Sequence, residues 1–486
     1  MPPLNRRRFL RGSGATALAL PLTRLLPGRS WRPHDQLRIA CTGLNGRGGD
    51  HIEGLRKLAG VSVVALVDVD AHVLDRQAKK FTDRGEKVDT YSDLRRVLDR
   101  DDVDAISIAT PNHWHSLQAI WACQAGKDVY VEKPVSHNVW EGSQLVAAAR
   151  KYQRIVQAGT QSRSSHGIAE AIAWMQAGNL GKILLARGLC YKPRQSIGKV
   201  GGPQSVPEHI DYELWCGPAP KTPLHRKNLH YDWHWDYATG NGDVGNQGIH
   251  QMDLARWALG ESTLPRRTLS IGGRLGYDDD GNTPNTQIVY HDYERAPLLF
   301  EVRGLPRDSK AQGGDWGKAM DEYQGARIGV IVHCEGGFLR IPDYTRAIAF
   351  DKQGKEIRRF EGATDHFANF TAAVKSRKVE DLHADIREGH VSSALCHLGN
   401  VSHLLGTPHG KQEITAAAAG NQHTAEACSR MIAHLEANGV DLDETRLQLG
   451  PWLDVDAKKE QFVGNDAANR LATREYRSGF AVPADV

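Results

Sequence analysis

A short apolar strand that turns on glycines straight into a helix admits few folds, and this chain has one near its start. Residues 37–42 read Leu-Arg-Ile-Ala-Cys-Thr, a buried strand by pattern. They run into Gly43-Leu44-Asn45-Gly46-Arg47-Gly48 and then an amphipathic helix over about 50–58. Such a unit sets backbone amides and the positive end of a helix where a pyrophosphate can sit. A second strand over 61–67 ends at Asp68. An acid about 20 to 25 positions past the glycines can accept bonds from ribose hydroxyls and repels a 2′-phosphate. The pattern predicts NAD, with NADP disfavoured. Asn45 stands where the middle glycine of the fingerprint is expected. Asn tolerates left-handed backbone better than most residues, so the turn is expected to form with the pyrophosphate seated differently.

Strands and helices continue to alternate. A strand over 103–109 leads to Thr110-Pro111-Asn112-His113-Trp114-His115, a helix over 115–124 and Gly126. The strand 128–131 then runs into Glu132-Lys133-Pro134. Proline cannot donate to a central ladder and ends that strand. Lys133 is left at the carboxyl end of a strand, where open α/β sheets bind ligands, and a lysine of tuned pKa can exchange a proton there. Thr-Pro-x-His-x-His followed by Glu-Lys-Pro, behind the glycine fingerprint, resembles the Gfo/Idh/MocA oxidoreductases over roughly residues 36–405. The resemblance implies an α/β chain. Its first domain, 36–160, would be a doubly wound parallel Rossmann sheet. The second, 161–405, would be α+β with an open, mainly antiparallel sheet. It also implies NAD(P)-dependent chemistry on sugars or cyclitols, and homo-oligomers formed through the open sheet. Cofactor contacts would come from Gly43, Asn45, Gly46, Arg47, Gly48, Asp68, Thr110, Pro111, Asn112, His113, His115, Glu132 and Lys133.

A second constellation lies at 240–253, where a glycine-rich approach, Gly240-Asn241-Gly242-Asp243-Val244-Gly245-Asn246, enters a helix that stops at Gly260. Helical spacing puts Asn246, His250 and Asp253 on one face. By resemblance His250 is the catalytic histidine. The family's acid four residues earlier is Asn246 here, which cannot take a proton. Either the proton relay is altered or another carboxylate, Asp243, substitutes for it, and Asp253 reads either as a partner orienting His250 or as a helix-surface acid. The catalytic set is then Lys133, His250, Asn246 and Asp253. The aromatic run 230–237 contains Trp233 and Trp235, whose faces suit a sugar ring. With Tyr191, Lys192 and Asp243 they form the expected substrate contacts. His113 and His115, or His230 and His234, offer pairs where zinc needs three or four ligands, so no metal site is expected.

The length of 486 residues suggests two domains with extensions. At 40% hydrophobic and 24% charged, the composition is that of an ordinary globular enzyme. The net charge of +3 comes from residues 1–34, which hold seven arginines and no acid. The remainder is acidic on balance, which argues against nucleic acid as a partner. Asn5-Arg6-Arg7-Arg8-Phe9-Leu10 and the modest apolar stretch behind it resemble a Tat export leader, implying a periplasmic or otherwise extracytoplasmic protein, with the leader cleaved or kept as an anchor. No later segment is long and apolar enough to span a membrane. Seven scattered cysteines read as buried rather than as a disulfide framework. Residues 406–486 read as a packed extension of undisclosed role. The function expected is an exported NAD(P)-dependent oxidoreductase acting on a sugar, cyclitol or glycoside, with a retained cofactor and a redox-neutral cycle. The alternatives are a non-catalytic sugar-binding or sensor protein, or a redox-neutral glycosidase or lyase.

Overall fold

The computed structural model describes residues 36–486; the leader expected over 1–34 lies outside the described residues. The first sheet has six parallel strands: β1 (Leu37–Thr42), β2 (Val61–Val67), β3 (Asp89–Tyr91), β4 (Ala105–Ile108), β5 (Asp128–Val131) and β6 (Val156–Ala158). Their order is β3-β2-β1-β4-β5-β6. The chain starts at the centre, winds outward, returns and winds the other way. That reversal opens a crevice at the carboxyl ends of β1 and β4, the switch point where such sheets bind ligands.

The second sheet is built on β7 (Ile183–Tyr191), β8 (Arg267–Gly273), β9 (Thr286–Asp292), β10 (Leu298–Arg303), β11 (Ile328–Cys334), β12 (Gly337–Ile341), β13 (Arg346–Asp351) and β14 (Glu356–Glu361). It runs β14-β13-β12-β11-β7-β10-β9-β8. Among these, β10 with β7 is the one parallel pair, and the rest pair antiparallel. The α/β class expected from the sequence, a parallel Rossmann sheet followed by a mainly antiparallel one, is what the chain adopts. One face of this sheet packs on the helices His166–Trp174, Gly248–Leu259 and Ile386–Leu404 in a continuous apolar core.

The other face is covered in part by the C-terminal extension. Helices Lys411–Ala418 and Gln422–Ala437 set Ile414, Met431, Ile432 and Leu435 against Leu269, Ile288, Tyr290 and Leu299. Short strands β15 (Thr407–His409), β16 (Leu447–Leu449), β17 (Leu453–Asp456) and β18 (Gln461–Phe462) lengthen the sheet beyond β8. The role of residues 406–486 is thus partly visible: they close an apolar face. Arg430 adds a buried charge network, meeting Glu301 and Tyr191 from above the sheet while Arg187 reaches Glu301 at 2.6 Å from within it. All seven cysteines are free and buried. No helix among the described residues is long and apolar enough to cross a membrane.

The seam between extension and sheet is testable. Leu435 is fully buried, and Leu435→Ala is expected to cost about 2–5 kcal/mol in unfolding free energy. A denaturation midpoint equal to wild type would show that the extension is only loosely attached.

Candidate active site

The glycine turn is forced by close packing. Gly43 has φ 75°, and a Cβ there would lie 2.5 Å from the Thr110 nitrogen. A Cβ on Gly48 would fall 1.8 Å from the Gly43 oxygen, so the helix Arg47–Arg56 can start against β1 only with glycine there. The left-handed residues of the turn are Gly43 and Gly46. Asn45 needs no left-handed backbone, contrary to the tolerance invoked for it, and its Oδ1 instead accepts a bond from Arg76 at 3.0 Å. Asp68 follows β2 and accepts from the Leu44 amide at 2.7 Å and the Asp70 amide at 3.0 Å. It braces the turn while lining the crevice.

Glu132 organises the next layer. Its Oε1 accepts from Arg47 Nε at 2.8 Å and Gln161 Nε2 at 3.1 Å and lies 3.1 Å from His51 Nε2. Its Oε2 accepts from the Lys133 amide at 3.1 Å. Burial alone would raise this carboxyl, but His51, Arg47 and Lys133 reverse it and hold it well below the usual range. Lys133 Nζ donates to the Asn246 carbonyl at 2.7 Å, spanning the two domains. Burial, with Lys192 and Arg47 nearby, pulls the Lys133 ammonium below its ordinary value against the pull of Glu132.

His250 faces Lys133 from the second domain. The helix Gly248–Leu259 carries it into the cleft, and its Nδ1 finds no hydrogen-bond partner among the described residues. Its ring sits 5.0 Å from that of Tyr344. Burial, then the charge of Lys133, pushes its pKa down to about 3, so the imidazole is neutral at working pH. Asn246 shares this cleft, but Asp253 does not orient His250. Both its oxygens accept from Arg163 Nε at 2.9 Å, and Oδ1 also accepts from Ser392 at 2.7 Å. Facing helices supply those partners, so Asp253 holds helices together.

The cleft encloses about 810 Å³ between the two sheets. Gly43, Asn45, Gly46, Arg47, Asp68, Thr110, Pro111, Glu132 and Lys133 line one end, and Lys192, Trp233, Asn246 and His250 the other. Other expected residues lie behind the wall. His113 is clamped between the carbonyls of Trp215 (2.9 Å) and Thr239 (3.2 Å), and His115 between those of Pro134 (2.6 Å) and Thr110 (2.7 Å). Both point inward from the helix Asn112–Gln124, where Asn112 is also buried, so they fix the walls rather than touch a ligand. Tyr191 faces the far side of the sheet, donating to Glu301 at 2.7 Å, because successive strand residues alternate. Lys192 is the one turned inward. Asp243 is locked bidentate on Arg194 at 2.7 and 2.8 Å and so cannot replace the acid absent at 246. Trp235 lies under the Arg194 guanidinium at 4.9 Å. Tyr231, His234, Gln247 and Tyr344 also line the cleft. The aromatic run contained the first two. Tyr344, more than a hundred positions beyond that run, carries no local signal.

A dinucleotide fits this arrangement. Gly46 lines the cleft at φ 60°, and a Cβ there would meet nothing within 4 Å, so the turn faces open space beside a helix N-terminus. The class defined is a two-domain dinucleotide-binding protein with an amine and a neutral imidazole converging beyond the turn. Two family profiles match, together about half of the chain: "Oxidoreductase family, NAD-binding Rossmann fold" over residues 37–160 and "Oxidoreductase family, C-terminal alpha/beta domain" over 183–303. The chain belongs to the Gfo/Idh/MocA oxidoreductase family. Among curated relatives, a glycosyl hydrolase family 109 protein of Shewanella pealeana is 32% identical over 31% of this chain and 38% of its own. A levoglucosan dehydrogenase of Pseudarthrobacter phenanthrenivorans is 27% identical over 43% of this chain and 49% of its own. The chain thus matches less than half the length of either. The WlbA dehydrogenase of Bordetella pertussis, solved with NADH and UDP-GlcNAcA, shares the fold with a TM-score of 0.54 at 17% identity, over 74% of this chain and 93% of that one.

Buried neutral histidines make stability depend on pH. His250, His291 and His397 are each held at about 3 by burial, against 6.5 unfolded. Between those values the unfolded chain binds protons that the native chain excludes, so stability falls as pH falls below 6.5, by about 1.4 kcal/mol per unit per histidine. Chemical denaturation at about pH 7 and about pH 5 is expected to show that loss, and His291→Asn to lessen it. An unchanged free energy would contradict the burial of these rings.

Proposed function

We propose that this protein is an NAD-dependent oxidoreductase acting on a hydroxyl of a sugar, cyclitol or glycoside, with a retained cofactor and no net redox change. The observation that carries the reading is the meeting of Lys133 and His250 in one cleft beyond the glycine turn. When bound, a nicotinamide dinucleotide supplies a two-electron acceptor. The chain does the rest. Lys133 holds the reacting oxygen by a charge-assisted bond. His250, neutral and with Nδ1 free, takes the hydroxyl proton as general base. Trp233, Tyr231 and Tyr344 offer apolar faces to a ring, and Lys192 and Gln247 offer polar groups to its edge. Asp68 sets the preference for NAD over NADP. The printed names of the relatives, a glycosidase family and a sugar dehydrogenase, support a carbohydrate substrate.

Asn246 and the Arg6-Arg7 leader support the closed cycle. Asn246 removes a titratable carboxylate, and export would carry the folded, loaded enzyme to where free cofactor is scarce. The same Asn246, with Asn45, favours a second reading, a sugar-binding protein without turnover. Copies that assemble through the open sheet would use the part left bare by the extension, around β11 to β14.

Lys133→Ala is expected to fold and to lose at least ~10² in turnover; near-normal turnover would make Lys133 structural. Enzyme carrying only its bound cofactor is expected to convert many equivalents of glycoside. Conversion that stops after one equivalent and resumes on adding NAD would mark an ordinary dehydrogenase.

A further inference from the structure

Charge at the second-domain end of the cleft is not balanced. Lys192 follows β7, and its backbone is fixed there. Its amide donates to the Arg303 carbonyl at 3.1 Å, and the flanking amides of Tyr191 and Arg194 donate to Arg327 and Gly304 at 2.8 Å each. Strand alternation sends Tyr191 away from the cleft and Lys192 into it. Its Nζ donates to Gln247 Oε1 at 2.9 Å. The Gln247 amide is held in that sense because its Nε2 donates to the Tyr344 hydroxyl at 3.0 Å. An ammonium carries three donors. Lys192 therefore has donors left for the cleft, and it makes no ion pair among the described residues.

Its neighbours do not neutralise it. Lys192 is near enough for its charge to act on both Lys133 and His250. Arg194 is also cationic and is matched by Asp243 at 2.7 and 2.8 Å. Glu132 is matched by Arg47, with His51 beside it. Four cations, Arg47, Lys133, Lys192 and Arg194, thus stand around two carboxylates, Glu132 and Asp243. The other acids of the lining, Asp68 and Asp93, follow β2 and β3 at the opposite end, where Asp93 pairs with Arg95. Asn246 and Gln247, which line this end, are neutral. Burial, then the charge of Arg194, pulls the Lys192 ammonium below its ordinary value, so the cation is held at a cost. A neutral ring needs only neutral donors of the kind Gln247 and Tyr344 supply. It leaves unexplained a half-buried cation set beside a second one.

We propose that the substrate is an anionic sugar or glycoside, one bearing a carboxylate or a sulfate, and that Lys192 pairs with that group while Lys133 and His250 act on a hydroxyl of the same ring. The inference rests on the reading of this cleft as a carbohydrate site. The anion supplies the missing countercharge and accepts a charge-assisted bond. It also orients the ring. Held at Lys192 by its anion and at Lys133 by its reacting oxygen, the ring presents one chosen hydroxyl to His250. An ammonium is a point charge without the planar fork of arginine, so carboxylate and sulfate are both admitted.

The test is calorimetric titration of cofactor-loaded protein with methyl glycosides of the gluco, galacto and manno series, each as the neutral sugar, the uronate and the 6-sulfate. At least one anionic member is expected to bind ~10-fold or more tightly than its neutral match. That advantage should shrink as salt rises, and the uronate and sulfate arms show which anion is preferred. Lys192→Met removes a half-buried cation at similar side-chain length; it is expected to fold and to bind neutral and anionic forms alike. If no anionic member binds more tightly than its neutral match, or if the advantage survives in Lys192→Met, the assignment is overturned. Turnover separates this from the reading beneath it. A preference that depends on Lys192, with no change in nicotinamide absorbance for any member, would contradict hydroxyl oxidation and leave the anion subsite standing.

Discussion

The carboxylate of Glu132 holds the site together. Its side chain is only 5% exposed, and an ionised carboxylate so far from water is costly unless paired and hydrogen-bonded. Arg47 and His51 come from the helix after the glycine turn, Gln161 from the crossover into the second domain, and the Lys133 amide from the next residue. Satisfying one buried charge thus fixes the turn, the crossover and the lysine relative to one another. The same charge keeps Lys133 from being destabilised outright by burial, and Lys133 in turn helps keep His250 neutral. The electrostatic chain Glu132, Lys133, His250 runs from one domain to the other.

A base must be unprotonated to accept a proton and an electrostatic clamp must keep its charge. Burial holds the His250 imidazole neutral, while the Glu132 carboxylate opposes the loss of charge that burial would impose on Lys133. Other polar groups are given to structure: His113 and His115, expected among the cofactor contacts, and Asp253, expected beside His250, meet wall carbonyls and Arg163 instead.

Much of this was legible in the sequence. The strands β1, β2, β5, β10 and β12 lie where apolar runs of strand length stand, because buried strands carry their own signal. The glycine turn, Lys133 and His250 were legible because local chemistry demands those residues at those offsets. β14 was not, since it is an exposed edge strand of mixed charge, and β15 to β18 are too short to show a period. Tyr191 was assigned to the wrong face because strand alternation needs a register, which neighbouring strands set. Asp243 and Trp235 misled because their partner, Arg194, lies about forty to fifty residues away, and spacing along the chain does not reveal it.

The central claim is that Lys133 and His250 act together on a carbohydrate hydroxyl beside a bound nicotinamide. The most direct measurement is rapid mixing of cofactor-loaded protein with a panel of glycosides and sugars, recording the reduced-nicotinamide absorbance. The account predicts a rise and decay with at least one substrate in wild type, and no rise in His250→Ala that still holds its cofactor. An equal rise in His250→Ala, or no rise with any substrate that wild type converts, would contradict it.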